Sequence, residues 1–511
     1  MKGKYLYIGL LFLPLFSCSK DDLSVLPEGK ELDVTFYKTE DQILQALNAA
    51  YDPFQHTIWT GSTFLWGSVT SDDAVAGGGD ATDQKSFQMA DRYTMTAIED
   101  KDKDLLPWYE TRFKIIYRSN LILKFADPNT EIGKKGIAHA YFLKAYAYFE
   151  LTRMFGDLPI IDVVPGAKDK FPRKPQADVW AAIENYCLQA LNAGMPKRKN
   201  GKDPDDLATE GSVRALLGKV YVYEKKYDKA IEQLSYFDNN PEYGLETQFS
   251  DVFYPGNKHG KESIFEINFT SEDGGTIWDQ YCNGNAIYTL CGGPRTGEVA
   301  IANANFVWGW GMNQPTGKLA KAFDDQGDTA RKNSSIISND SILKLSPSTT
   351  FQNSLTGYWD LKHVRRTGFY TSTTQVGQNT IALRLADVYL LLAEAYNRKS
   401  PADDSKARYY LNLVRQRAHL ADATESGDAL FTRIKKERQL ELCLEGDRYF
   451  DLVRWGDAET ELTGDSENAG LNGNSWATGR PGKITNGLFP IPQDEKNKIG
   501  DTPDFLQNPG Y

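Results

Sequence analysis

Apolar residues recur at helical spacing in three stretches of the chain and lose that period between them. Thr39 is placed to cap a helix in Thr39-Glu40-Asp41-Gln42, after which Ile43, Leu47 and Ala50 fall on one face. The period returns from Leu106 to about Phe125 through Trp108, Tyr109, Phe113, Ile116, Tyr117 and Ile122. It returns again from about Gly136 to Phe155, where Tyr141, Ala145, Tyr148 and Thr152 trace the stripe and Gly156-Asp157 with Pro159 stop it. Asp178 opens another helix through Val179, Ile183, Tyr186 and Leu191, and the last helical blocks run from Leu383 to Gly456. Helical segments therefore occupy about 37–58, 106–237 and 383–456, and the fold class is mainly α.

Residues 211–237 carry a finer pattern. Leu217-Gly218, Tyr221, Ala230 and Leu234 fall at the spacings of a tetratricopeptide unit. Small residues at 218 and 230 let two antiparallel helices approach, Tyr221 fills the space beside them, and Lys226-Tyr227-Asp228 makes the turn. Looser echoes at Tyr141–Leu151 and Leu391–Leu413 predict degenerate helix pairs rather than a regular solenoid.

The intervening segments, about 59–105 and 244–380, are rich in Gly, Asn, Ser and Thr and read as loops with short strands. Ser263-Ile264-Phe265-Glu266-Ile267 alternates like a strand. Connections this long are functional or disordered, and Trp278, Trp308, Trp310 and Trp359 argue against disorder.

The N-terminus has a different character. Lys2 and Lys4 precede an apolar run, Tyr5 to Phe16, and Leu15-Phe16-Ser17-Cys18 follows as a lipobox-like ending. The run is shorter than the roughly 20 residues of a spanning helix, so 1–17 reads as a lipoprotein signal peptide with Cys18 acylated, by palmitate or a similar chain. Residues 18–36 make a lipidated tether, and no later apolar run is long enough to cross a bilayer. The remainder, 37–511, is expected to form a single domain.

Composition narrows the function. The net charge of −11 argues against a nucleic-acid partner and against docking to anionic lipid. Ten Trp and 27 Tyr suit a large core and also suit stacking against sugar rings. Cys187 and Cys443 sit in helical patterns as buried thiols, while Cys282 and Cys291 lie close enough in a loop-rich stretch to pair, a matter the sequence leaves open.

Candidate chemistry gathers near the C-terminus, where Glu437, Arg438, Glu441, Glu445, Arg448, Asp451 and Arg454 crowd one helical region. Spacings of three put 438 beside 441, 445 beside 448 and 451 beside 454 on a helix. Paired carboxylates for glycoside hydrolysis are one reading. A salt-bridge network that locks the helices is the other, and is preferred because such spacings are common. No Gly-x-Ser-x-Gly, phosphate-binding loop or His-Glu-x-x-His motif is present, and the five histidines lack metal spacing. Asp72, Asp73, Asp80 and Asp83 offer hard oxygen ligands for a structural calcium, but without a calcium-loop register they read as a solvated acidic loop. No cofactor is expected.

The blocks Leu383–Ala395, Leu411–Ala418, Ile434–Leu442, Glu445–Gly456, Leu488-Phe489-Pro490-Ile491-Pro492 and Gln507–Tyr511 resemble the SusD/RagB family of outer-membrane nutrient-binding lipoproteins. Ala140–Tyr146 and Phe155–Pro159 add to the resemblance, with Lys144 where the family usually has Arg. The resemblance implies a SusD-like fold and capture of a glycan at the cell surface without catalysis. It also implies delivery to a SusC-like TonB-dependent transporter, over which the protein closes as a lid, and a lipid-anchored location outside the outer membrane. Ser19-Lys20-Asp21-Asp22 resembles the surface-export signal of such lipoproteins. A peptide or other nutrient, a surface glycoside hydrolase, or a pure protein scaffold are the alternatives.

A glycan site needs flat aromatic faces and polar edges. The resemblance puts it on variable loops in two parts of the chain. Residues 59–108 offer Trp59, Trp66, Asp72 and Asp73, with Trp108 expected in the core. Residues 276–314 offer Trp278, Tyr281, Asn283 and Tyr288, and above all Trp308-Gly309-Trp310.

Overall fold

The structure, a computed structural model, describes residues 36–55, 63–80, 82–96, 105–271, 287–372, 375–462, 486–500 and 502–511. The signal segment, Cys18, the tether up to residue 35, Trp59, Trp278, Tyr281, Cys282 and Asn283 lie outside the described residues.

Helix α1 (Glu40–Tyr51) starts at Thr39 with the reciprocal cap its sequence predicts. The Thr39 hydroxyl accepts from the Gln42 amide at 3.3 Å, and the Gln42 side chain accepts from the Thr39 N–H at 3.1 Å. Short α2 (Thr63–Val69) and α3 (Lys85–Asp91) flank strand β1 (Ala74–Ala76). Helices α4 (Leu105–Phe125) and α5 (Glu131–Phe155) pack along each other. α5 begins five residues before the predicted start because Thr130 caps it, accepting from the Gly133 amide. Strands β2 (Leu158–Pro159) and β3 (Arg173–Lys174) pair briefly, and α6 (Gln176–Asn192) then lies against α5.

The hairpin of α7 (Glu210–Tyr223) and α8 (Tyr227–Leu234) is the tetratricopeptide-like unit. Gly218 is required there by space: a Cβ would lie 2.3 Å from Leu234 Cδ2. Ala230 is fully enclosed, and Tyr221 is buried with its hydroxyl donating to Glu184 at 2.9 Å. The other two echoes are helix pairs as well, α5 with its neighbours and the C-terminal pair described below.

The chain then becomes irregular but not helix-free. α9 (Phe249–Val252), β4 (Ser263–Ile267) and β5 (Asn313–Pro315) lead into α10 (Gly317–Gln326), α11 (Thr329–Ser335), β6 (Ile336–Ser338) and α12 (Asn339–Leu345). After them come β7 (Tyr358–Asp360), β8 (Tyr370–Ser372), β9 (Gln375–Val376) and β10 (Thr380–Arg384). Every sheet among the described residues is a two-stranded antiparallel pair: β1–β5, β2–β3, β4–β10, β6–β7 and β8–β9. The helices α2, α3 and α10 to α12 correct the expectation of loop and sheet alone. Each has at most ten residues, so a helical period has little length in which to show. β4 also differs from its alternating sequence, since all five of its residues are buried.

The C-terminal block comprises α13 (Leu385–Arg398), α14 (Asp404–Arg417), α15 (Gly427–Leu442), α16 (Arg448–Trp455), α17 (Ala458–Leu462) and α18 (Gln493–Ile499). The expected run from 434 to 456 is broken: Leu444 turns the chain with a φ of +65°, and α16 starts afresh at Arg448. Apolar side chains of α1, α4 to α8 and α13 to α16 fill one large core. Two small cores sit under α10 and around Trp359.

The break changes the charge pairing. Of the three expected neighbours only Asp451 and Arg454 meet, at 2.8 Å. Glu441, fully buried, is bound instead by Arg331 at 2.9 Å, Arg384 at 2.6 Å and also Arg417. Arg438 reaches Asp387 and Asp451, Glu445 reaches Lys362 and Arg384, and Lys219 joins Asp387 to Asp447. Burial alone would raise the Glu441 carboxyl, but Arg417, Arg384 and Arg331 hold it well below the usual carboxylate range. Glu441 is fully enclosed and its oxygens are taken by three guanidiniums, out of reach of a glycan, which favours the locking network.

Candidate functional site

Two segments from different halves of the chain come together at their backbones. β1 pairs with β5 in the register Ala74↔Pro315, Val75↔Gln314 and Ala76↔Asn313. The pairing continues past the strands, with the Gly77 N–H donating to the Met312 carbonyl at 2.8 Å and the Gly78 N–H to the Gly311 carbonyl at 3.1 Å. The turn that follows is closed by Asp80, which accepts from the Thr82 amide and hydroxyl, both at 2.7 Å. These bonds, the Thr82 hydroxyl first, pull the exposed Asp80 carboxyl below its usual range.

The tryptophan-bearing segment is held as tightly on its other side. Gly309 donates its N–H to the Pro294 carbonyl at 2.9 Å, and Trp310 donates to the Leu290 carbonyl at 2.6 Å. A Cβ on Gly309 would lie 1.7 Å from the Gly292 oxygen, so the two backbones touch where Trp308 and Trp310 emerge. Both rings are half-buried. The Arg365 guanidinium lies 4.4 Å over the Trp308 ring, and its Nη2 donates to the Trp308 carbonyl at 2.8 Å. Burial lowers the Arg365 pKa to about 10. Arg295 donates to the Trp310 carbonyl at 3.2 Å and sits 3.8 Å from Asp83, so it links the tryptophan segment to the Asp80 turn. The result is a rim of two partly buried indole rings, the Arg295 guanidinium and acidic oxygens on a rigid backbone, with Arg365 buried behind Trp308, which suits a ligand with flat apolar faces and many hydroxyls.

Other predicted contacts fall elsewhere. Trp66 is fully enclosed, its ring against Phe87 at 4.3 Å and Phe489 at 5.8 Å, and is a core residue. Asp72 and Asp73 are buried as well. Asp72 takes Arg448 at 2.7 Å and Lys318 at 3.2 Å, and Asp73 accepts from the Gln439 amide at 2.9 Å. They anchor the start of β1 and do not join Asp80 and Asp83, and among the described residues no group of three or more acidic, His or Cys side chains is placed to hold a metal. Tyr288 is 6% exposed, and its hydroxyl donates to the Asn379 carbonyl at 2.8 Å, so it supports the rim from within. Trp108 is buried under the Arg112 guanidinium, as expected of a core residue. Arg295 and Arg365 were not legible as site residues; the Trp-Gly-Trp run was the signal, and a cation beside it is visible only in space.

Two family profiles match the chain, one described as the SusD family over residues 343–511 and one as starch-binding associating with outer membrane over residues 23–235. The chain belongs to the SusD/RagB family. It is 26% identical over 487 residues to SusD-like protein P2 of Formosa agariphila, covering 89% of this chain and 90% of that one. A SusD-like protein of Bacteroides ovatus is 23% identical over 488 residues, covering 89% and 83%. Among solved structures, a laminarin binding SusD-like protein superposes with a TM-score of 0.78 at 27% identity, over 93% of this chain and 100% of that one. Surface glycan-binding protein A from Bacteroides thetaiotaomicron, in complex with laminarihexaose, gives 0.78 at 22% identity, over 92% and 100%. Both of these solved relatives are described as glycan-binding proteins. No helix among its described residues is long and apolar enough to cross a membrane.

Proposed function

We propose that this SusD/RagB protein captures an oligosaccharide at the cell surface and passes it to a SusC-like TonB-dependent transporter in the same outer membrane. The observation that carries the reading is the β1–β5 junction, which joins the Asp80 turn to the partly exposed Trp308 and Trp310. Similarity to a laminarin binding protein and to a laminarihexaose complex makes laminarin the first ligand to test. Trp308 and Trp310 supply the stacking faces, with Arg295 and Asp83 at the hydroxyls. Trp59, Trp278, Tyr281 and Asn283 belong to the same proposal on sequence grounds. Cys18 carries the lipid that keeps the protein beside its transporter, and two or three acyl chains suffice for stable anchoring.

Isothermal titration against laminarihexaose, a panel of other oligosaccharides and a peptide panel tests this. Heat with an oligosaccharide, abolished in the Trp308→Ala, Trp310→Ala double variant of unchanged circular dichroism, is the expected result. Heat with peptides alone would sink the glycan reading, and sustained release of reducing ends would sink the binder reading. Replacement of Cys18 by Ala should leave binding intact and impair uptake by cells.

A further inference from the structure

A second cleft lies among the helices and shares no residue with the tryptophan rim. It opens between α14 and the chain that follows α8, with a volume of about 430 Å³, and Tyr389, Tyr409, Asp238 and Asn239 are among its lining. That volume falls within the roughly 300–1,000 Å³ of small-molecule sites.

The cleft has a rigid aromatic floor. Tyr410 is 1% exposed, stacks on Tyr396 at 5.7 Å with planes 11° apart, and donates its hydroxyl to Asp238 Oδ2 at 2.7 Å. Tyr389 closes on Tyr410 from another side at 5.9 Å. Against this fixed ring stands Tyr409, 5.0 Å away and at 77°, with 56% of its surface in solvent. A lone exposed tyrosine is ordinary on a protein surface. This one is backed by a buried ring and faces a cavity whose rim offers the Asp238 carboxylate and the Asn239 amide, with Asp403 and Lys406 at the start of α14.

We propose that this cleft is a second saccharide subsite, in which one sugar ring lies on Tyr409 and its hydroxyls bond to Asp238 and Asn239. The ligand class rests on the glycan-binding reading above; the site itself rests on the tyrosines and their rim. A sugar fits better than a proline-rich segment. Such a segment docks in a groove between aromatic walls, whereas here Tyr409 is the one largely exposed ring, at a steep angle to the buried Tyr410, and Tyr389 lines the cleft partly buried. Carboxylate and amide edges beside a single aromatic face match a pyranose, which has one apolar face and a girdle of hydroxyls.

Hydroxyl-radical footprinting of the whole protein tests the proposal residue by residue. Laminarihexaose, maltohexaose, cellohexaose and a proline decapeptide are each added at millimolar concentration, and modification of Tyr409, Trp308 and Trp310 is followed. At least one hexasaccharide should slow modification of Tyr409 severalfold, equally in the Trp308→Ala, Trp310→Ala variant. Asp238→Ala should remove that protection, and Tyr409→Phe should keep protection at the same position. Protection of the tryptophans with none at Tyr409 overturns this proposal and leaves the first reading standing. Protection of Tyr409 alone upholds it and sinks the tryptophan site. Protection of Tyr409 by the decapeptide alone, or by nothing, overturns it.

Discussion

Arg448 and Asp72, 376 positions apart in the chain, face each other through two hydrogen bonds of 2.7 and 3.0 Å. The first residue of α16 thereby holds the residue that leads into β1, and through β1 the base of the tryptophan rim. Arg448→Met should lower stability by about 3 kcal/mol, because it strands a buried carboxylate. Lys318 offsets part of the loss. Arg448→Lys should recover only a fraction, since an ammonium lacks the two-pronged geometry. Urea unfolding checks both, and oligosaccharide affinity should fall in step.

Asp73 makes the same region sensitive to pH. Burial first, then the charge of Asp72, push its carboxyl up from 3.8 to about 7. Across that window the folded state holds a proton that the unfolded chain has released, so this group's contribution falls as pH rises from about 4 to 7. Asp73→Asn imitates the protonated acid. The drop in Tm from pH 5 to pH 7 should therefore be smaller in the variant than in the parent; an equal drop would remove Asp73 from the account.

Glu441→Gln separates structure from catalysis. The amide keeps the shape but leaves Arg331, Arg384 and Arg417 short of one negative charge in the interior. A loss of about 3–5 kcal/mol is expected, read by chemical denaturation. Reducing-end assays should give nothing for either protein.

Gly309→Ala tests the rim alone. Its methyl group meets the Gly292 carbonyl, which is backbone and cannot rotate away. Trp308 and Trp310 must shift, and affinity for the oligosaccharide should fall about tenfold or more, while the helical circular dichroism signal stays unchanged.

Gly218→Ala should cost about 1–3 kcal/mol by overpacking against Leu234. The double variant with Leu234→Ala should lose less than the two single losses combined, because the second change removes the atom that the first one strikes.

These cases also explain what could be read from the sequence. The α7–α8 hairpin was legible because Gly218, Ala230 and Leu234 are near neighbours, and their spacing is itself the packing. The caps at Thr39 and the stripe of α5 were legible for the same local reason. Trp308 and Trp310 stood out because large rings in a Gly- and Asn-rich stretch have few helical roles. Trp66 was misplaced because the Ser-, Asp- and Gly-rich chain beside it resembles a loop, while α2 has only seven residues, every one of them buried. The partners of Glu441 and Arg448 were out of reach. Charges three apart suggest one another, but burial favours whichever partners supply several bonds, and those come from α11, β10, α14 and the residues before β1.

The junction of β1 and β5 has a consequence for how such a protein diversifies. Main-chain bonds hold the two loops in register, and the demand for a bare backbone falls on the seam glycines, as at Gly77, where a Cβ would lie 1.8 Å from the Gly311 oxygen. The rim is thus a socket with interchangeable fittings: rings and polar tips can be exchanged for a new sugar while the seam beneath them stays shut.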